Sequence, residues 1–263
     1  MDKYFGFFAD LIHDFPTYIE EQEFYYGDTV ELYDQICGGQ NEFPMFMQVI
    51  ALHGGPVLDL CCGSGRLTIP AAKLGADVTG VDLSGDMLEK LEENLNLKNK
   101  RLKSRVHLYR QDMTKLELSG RYGVIMIGAT SIRLLNGSFK DFFDNLYDYV
   151  QDGGCLCFDM EDLPQTDMKT VKTDDMITAS LPDSSGRLSV ILFQRAVDYT
   201  ESAAHVNMAK ILPGTTQKIL LTSTKYRIFG IDDIKSAAED SKFGSIEVTE
   251  FNAGREYFCK LVK

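Results

Sequence analysis

Val57-Leu58-Asp59-Leu60-Cys61-Cys62-Gly63-Ser64-Gly65-Arg66 is the stretch on which the reading of this chain turns: an apolar run that breaks into a turn built on two glycines. Gly63 and Gly65 lack a Cβ, so the backbone can take turn geometries closed to other residues and approach a ligand closely. A second apolar run, Asp77-Val78-Thr79-Gly80-Val81, ends in Asp82, a carboxylate placed to accept hydrogen bonds from ribose hydroxyls. Two strand ends and one acid outline a nucleoside-binding half-site. A dinucleotide fingerprint carries a third glycine, which lets the following helix pack closely. Thr68 stands at that position, and an acid, Asp59, lies four residues before the first glycine.

Outward from this stretch, between Pro56 and Met160, apolar runs alternate with segments of helical spacing, the pattern of βαβ units and a parallel sheet. Strands are expected at Val57–Leu60, Asp77–Val81, Val106–Arg110, Gly123–Ile127 and Cys155–Asp159, with helices at Leu67–Leu74, Gly85–Leu97 and Phe139–Val150. Gly153-Gly154 reads as the turn into the fifth strand. Ahead of the core, Phe5, Phe7, Phe8, Tyr18, Phe24, Tyr25, Tyr26 and Tyr33 crowd a segment that reads as helices closing over the site. Beyond it, residues 187–194 and 203–212 alternate as antiparallel strands, and the tail reads as a helix, Ile231–Ala238, followed by a hairpin of Ser245–Phe251 and Glu256–Val262.

The expected fold is α/β: a Rossmann-like, seven-stranded, mostly parallel sheet with an antiparallel C-terminal hairpin, a helical N-terminal lid and a β-rich insertion. The corresponding division is 1–50 aromatic lid, 51–160 core, 161–225 substrate-facing insertion and 226–263 helix and hairpin completing the sheet.

A chain of 263 residues can bury a sizeable core. Acids outnumber bases 39 to 27, a formal charge of −12, so the long-range field repels polyanions and no nucleic-acid partner is expected. The basic segment Lys98–Arg105 reads as a solvated loop. No run approaches the ~20 apolar residues that span a bilayer, and the first residues lack signal-peptide order; a cytoplasmic protein without a membrane partner is expected. Cys37, Cys61, Cys62, Cys155, Cys157 and Cys259 show no C-x-x-C spacing, so free thiols with no metal are expected. Of the four histidines, His205 in the β-rich segment is the candidate proton acceptor, followed by His13; His53 and His107 read as structural.

The order D-x-x-x-G-x-G from Asp59 to Gly65 resembles motif I of class I S-adenosylmethionine-dependent methyltransferases. The chain is most similar to the small-molecule N-methyltransferases of the glycine and amino-sugar type. The resemblance covers Pro56 to about Met160 well, the two ends loosely and the β-rich insertion hardly at all. It implies S-adenosylmethionine as cofactor and S-adenosylhomocysteine as product. Asp59, Gly63, Ser64 and Gly65 would underlie the methionine moiety, with Asp59 orienting the turn or meeting the ammonium. Asp82 would chelate the ribose, with Leu83 and Met87 flanking the adenine. Asp112 would accept from the adenine's exocyclic amine and Met113 pack on its ring, with Gln111 beside them and Gly128 ending the fourth strand.

Leu32-Tyr33-Asp34 resembles the family's Tyr-Asp element, which makes Tyr33 a cofactor-contacting residue and, with Tyr26 and His205, a catalytic candidate. The family histidine after the fourth strand is replaced by Leu134, beside Arg133. The implied reaction is in-line methyl transfer to a small-molecule acceptor, foremost an amine nitrogen, with positioning supplying most of the rate. The alternatives are a small-molecule O-methyltransferase and a non-catalytic S-adenosylmethionine-binding regulatory or partner protein. Thr68 argues against a nicotinamide oxidoreductase on the same fold. A homodimer is compatible with the reading.

Overall fold

The computed structural model describes residues 2–36, 41–98, 100–163, 170–182, 186–212, 214, 218–252 and 256–263. In chain order the elements begin with α1 (Phe7–Asp14), β1 (Ile19–Glu23), α2 (Thr29–Ile36), α3 (Phe43–His53), β2 (Val57–Leu60), α4 (Thr68–Lys73), β3 (Val78–Asp82), α5 (Gly85–Lys98) and α6 (Lys100–Lys103). They continue with β4 (Val106–Arg110), β5 (Tyr122–Ile127), α7 (Phe139–Tyr147), β6 (Val150–Glu161), β7 (Val171–Thr173), β8 (Ile177–Pro182) and β9 (Leu188–Asp198). The chain closes with β10 (Ala203–Ile211), β11 (Ile219–Arg227), α8 (Ile231–Glu239), β12 (Glu247–Phe251) and β13 (Glu256–Val262). Two compact units result: residues 1–35 with 165–228, and residues 36–164 with 229–263.

The second unit is the expected seven-stranded sheet, in the order β12-β13-β6-β5-β2-β3-β4. Strands β6, β5, β2, β3 and β4 run parallel, while β13 lies antiparallel to β6 and to β12. Strand β2 is buried at all four positions, as a parallel strand covered on both faces must be. One face packs with α7 and α8, through Phe142, Phe143, Leu146, Ile234 and Ala238. The other packs with α3, α4 and α5, through Phe46, Ile50, Ile69, Leu91 and Leu95. Helix α7 shows why such segments are helical: Phe139, Phe142, Phe143 and Leu146 recur at helical spacing on one buried face, and the Ser138 hydroxyl caps the Asp141 N–H at 3.2 Å.

Three expectations need correction. Gly153-Gly154 does not separate a helix from a strand: α7 stops at Tyr147, and the glycines lie within β6, where its register against β5 shifts. A Cβ on Gly154 would stand 2.6 Å from the Gly123 carbonyl, a close approach of two backbones, whereas Gly153 has φ +77° with nothing within 4 Å of such a Cβ. The basic segment is not simply a loop, since residues 100–103 form α6 and Arg105 Nη1 donates to the Gly75 carbonyl at 2.6 Å. The first fifty residues are not uniformly helical: Ile19–Glu23 is a strand, Tyr25 and Tyr26 lie in the turn before α2, and α3 belongs to the seven-stranded unit.

The first unit is built on a six-stranded sheet, β1-β11-β10-β9-β7, with β8 also paired to β9. Alternation along β10 divides its residues between two faces. Ala209 and its partner Leu221 pack with Tyr4, Phe8 and Leu11 on the α1 face, where the Asn207 amide also bonds the Lys3 carbonyl and the Phe5 N–H. Met208 packs with Ile191 and Leu32 on the α2 face. Cys37 lies outside the described residues.

Candidate functional site

Within the seven-stranded unit the turn after β2 is held from both sides. Below it, Asp59 is 1% exposed and its Oδ2 accepts from Thr68 Oγ1 at 2.5 Å. Burial is the main reason that the Asp59 carboxyl is raised to about 7, and the Thr68 bond pulls the other way. Asp59 therefore orients the turn through the start of α4; the residue that breaks a dinucleotide fingerprint is its partner. Beside it, Asp82 Oδ2 accepts from the Gly63 N–H at 2.8 Å and Oδ1 from the Ser84 N–H at 2.9 Å. Burial raises this carboxyl too, against those backbone donors.

The turn has the shape of a cradle. Gly63 has φ +52°, and a Cβ added there would meet nothing nearer than Met87 Sδ at 4.0 Å. Gly65 has φ +96°, and its Cβ would stand 2.8 Å from Leu91, so only glycine lets α5 pack against the turn. Cys61 holds φ 57° without being a glycine, with its thiol 3.5 Å from Met113 Sδ. The Ser64 carbonyl accepts from Asn94 of α5 at 3.1 Å, and Ser84 caps α5 by accepting from the Met87 N–H at 3.2 Å. Carboxylate and carbonyl oxygens thus surround a backbone cradle, an acceptor set suited to a nucleoside bearing positive charge.

The remaining sequence-chosen residues separate into groups. Leu83 is 60% exposed at the lip, whereas Met87 is buried beneath the turn rather than beside an open ring site. Asp112 Oδ1 accepts from both the backbone and the hydroxyl of Thr114, which holds its carboxyl below the usual range. The Gln111 side chain is bound to the Glu117 backbone through both its oxygen and its amide nitrogen. Met113 is buried in the α7-side core. Gly128 follows the end of β5, where a Cβ would collide with Leu67 at 2.4 Å. A cavity of about 630 Å³ beside residues 113–116 and the end of α7 shares only Met113 with these residues.

The catalytic candidates fall in the other unit. Tyr33 lies on α2, its ring 5.7 Å from that of Tyr25, and the Tyr26 carbonyl accepts from Thr29 Oγ1 at 2.6 Å. His205 is buried on the α1 face of β10, with Lys225 opposite it and its Nε2 3.8 Å from Glu201. Burial, then Lys225, lowers its pKa. Tyr33 and His205 therefore lie on opposite faces of the six-stranded sheet. Leu134 packs against the α7-side core, and its neighbour Arg133 is buried, bonded to the Glu161 carbonyl and stacked 4.7 Å from the centre of Phe229.

Sequence reading missed a second charged group at the same strand ends. Glu42 pairs with Arg66, and Asp159 Oδ2 accepts from the Thr130 N–H at 2.8 Å. Asp159 closes the run Cys155–Phe158 just as Asp82 closes its own, so the signal was present.

Residues 57–154 match the methyltransferase domain family. A protein of Geobacillus sp. (strain WCH70) that carries the name of a methyltransferase is 30% identical over 106 residues, which cover 40% of this chain and 41% of that protein. Among solved structures, the methyltransferase CcbJ from Streptomyces caelestis superposes with a TM-score of 0.71 at 21% identity, covering 91% of this chain and 98% of that one. CalS10, an amino pentose methyltransferase from Micromonospora echinaspora, gives 0.65 at 13% identity, covering 93% and 100%. At these identities the structural likeness is one of fold. Residues 57–154 are thus similar to a methyltransferase domain, and the CalS10 structure is one with S-adenosylmethionine bound. The chain spans about two fifths of the length of the Geobacillus protein.

Proposed function

We propose that the protein is an S-adenosylmethionine-dependent methyltransferase acting on a small-molecule acceptor, with an amine nitrogen as the acceptor atom. The observation that carries the cofactor part is Asp82: a carboxylate at the carboxyl end of β3, bound to the Gly63 N–H of a cradle that has no Cβ to fill it. Ligands of parallel sheets bind beyond the carboxyl ends of the strands. Asp82 then takes the ribose hydroxyls, Gly63 to Gly65 admit the methionine moiety, and Asp112 and Met113 border the adenine.

When bound, the cofactor supplies an electrophilic methyl group on a sulfonium. The chain's contribution is to hold the acceptor nitrogen in line with it and to exclude water, so alignment is the main source of rate. The acidic chain, with a formal charge of −12, favours an acceptor that is cationic before it loses its proton. CalS10, described as an amino pentose methyltransferase, supports the same acceptor class. Tyr33 and Tyr26 are proposed as the tyrosines that approach the reacting groups, following the resemblance of Leu32-Tyr33-Asp34.

The test is calorimetric titration with S-adenosylmethionine, S-adenosylhomocysteine and NADH, followed by an acceptor screen of amino sugars, amino acids and phenols. Micromolar binding of the two adenosyl ligands and methylation of an amine are expected. Binding of NADH alone would overturn the cofactor, and methylation confined to hydroxyl compounds would overturn the acceptor.

A further inference from the structure

We infer that Asp159 is the buried counter-charge of the cofactor's sulfonium, the group that lets the site hold S-adenosylmethionine more tightly than its product, whose sulfur is uncharged. The inference rests on the function proposed above and deepens it. Asp159 follows Phe158, whose register partner on β5 is Ile127, so it stands beside Gly128 at the carboxyl end of the sheet. Its Oδ2 holds the Thr130 N–H, while Oδ1 is buried and has no hydrogen-bond partner among the described residues. A buried carboxylate oxygen left unpaired is costly, and such sites in folded proteins call for a charge, a proton or a donor.

The surroundings identify which. Arg66, next to the glycine turn, ion-pairs with Glu42 before α3, and its guanidinium Nη2 lies 3.2 Å from where a Gly128 Cβ would be. Arg66 thus spans the turns after β2 and β5, and Asp159 anchors the second of these from β6. The sheet order reverses between β2 and β5, since the chain passes from β2 to β3 on one side and returns to β5 on the other. The ligand crevice of such sheets opens there.

Glu42 and Arg66 cancel, so an ionised Asp159 leaves the cluster with one net negative charge. A sulfonium in the crevice brings one positive charge, and methyl transfer removes it. Among the described residues the thiols of Cys157, on its own strand, and Cys259, on β13, also lie near Asp159, and burial keeps both protonated. Burial foremost, then Glu42, raises the Asp159 carboxyl to about 7, while the Thr130 N–H and Arg66 pull it down. Asp59 titrates in the same range from β2, so a variant is needed to tell the two apart.

A cation that favours the ionised form binds more tightly as the carboxyl loses its proton. Affinity for S-adenosylmethionine should rise about fivefold between about pH 6 and about pH 7.5, and that for S-adenosylhomocysteine less than about twofold. In Asp159→Asn, which keeps an acceptor for the Thr130 N–H, the S-adenosylmethionine affinity should lose this slope. Calorimetric titration of the full chain with both ligands at the two pH values reads all of this, with thermal unfolding as the check on folding. Equal slopes for the two ligands, or a slope that survives in Asp159→Asn, would overturn the counter-charge and leave the cofactor assignment standing. If neither ligand bound at either pH, the cofactor assignment itself would fail and the inference with it. Should the variant not fold, Asp59→Asn takes its place: an S-adenosylmethionine slope that survives in it supports Asp159, and a slope lost in it overturns the counter-charge.

Discussion

A single hydrogen bond, from Thr68 Oγ1 to Asp59 Oδ2, ties the start of α4 to β2 beneath the glycine turn, and burial, against that bond, makes Asp59 a measurable reporter. Its carboxyl stands at about 7 against an ordinary 3.8, so the folded protein binds this proton more tightly than the unfolded chain does. Stability from this group is complete below the unfolded value and is lost as pH rises toward the folded one. Asp59→Asn should therefore gain stability relative to the unaltered protein as pH rises from about 4 to about 7, read from urea midpoints across that range. A difference that stayed flat with pH would mean that Asp59 is ionised in the folded state throughout. At Asp82 the expected loss is in binding. Asp82→Ala removes the carboxylate proposed to take the two ribose hydroxyls and should weaken S-adenosylmethionine by about 100-fold, with the fold retained. Unchanged affinity would remove Asp82 from the site. Asp59 and Asp82 were legible because each acid interrupts or ends an apolar run beside the glycines. Glu42 was not, because its role depends on α3 bringing it to Arg66 from across the chain.

At the scale of elements, what could be read depended on how much of each segment's structure is local. Strands β2, β3, β4 and β5 are apolar runs bounded by turn residues, and they form within a residue or so of where the runs lie. Strand β1 reads Ile-Glu-Glu-Gln-Glu, with no strand propensity worth the name, and exists because it pairs in parallel with β11, some two hundred residues away. Gly154 of β6 was misread for the same reason: what it accommodates is the β5 backbone, not a turn. Helix α7 is the opposite case, determined by its own sequence. Its Ser138 cap is local enough that Ser138→Ala should lower stability by about 1 kcal/mol, and Ser138→Asp should leave it within a few tenths. Equal losses in both variants, measured by chemical denaturation, would show that the position matters for something other than capping.

On the scale of the whole molecule, the chain enters the six-stranded unit twice, at its start and between β6 and α8, so that unit is assembled from segments that no single window of sequence displays together. Resemblance was weakest over the same residues, which is why Tyr33 was chosen there on the three-residue likeness of Leu32-Tyr33-Asp34 and His205 on residue type and place alone. The sheet now separates two of them. Met208 and the α2 helix share one face, while His205 shares the other with Asn207 and the α1 segment. One acceptor cannot touch both side chains through a sheet whose own backbone lies between them. The two substitutions should therefore diverge. Tyr33→Phe should lower turnover of the amine found in the screen by at least about 10-fold, with cofactor affinity unchanged and stability within about 0.5 kcal/mol. His205→Ala should leave turnover per folded molecule within about twofold and lower stability by about 1–3 kcal/mol, because it empties a buried position between Ala196 and Lys225. Were His205→Ala to abolish turnover in a fully folded protein while Tyr33→Phe did not, the acceptor would have to approach from the α1 face, and the tyrosines of α2 and its turn would be packing residues only.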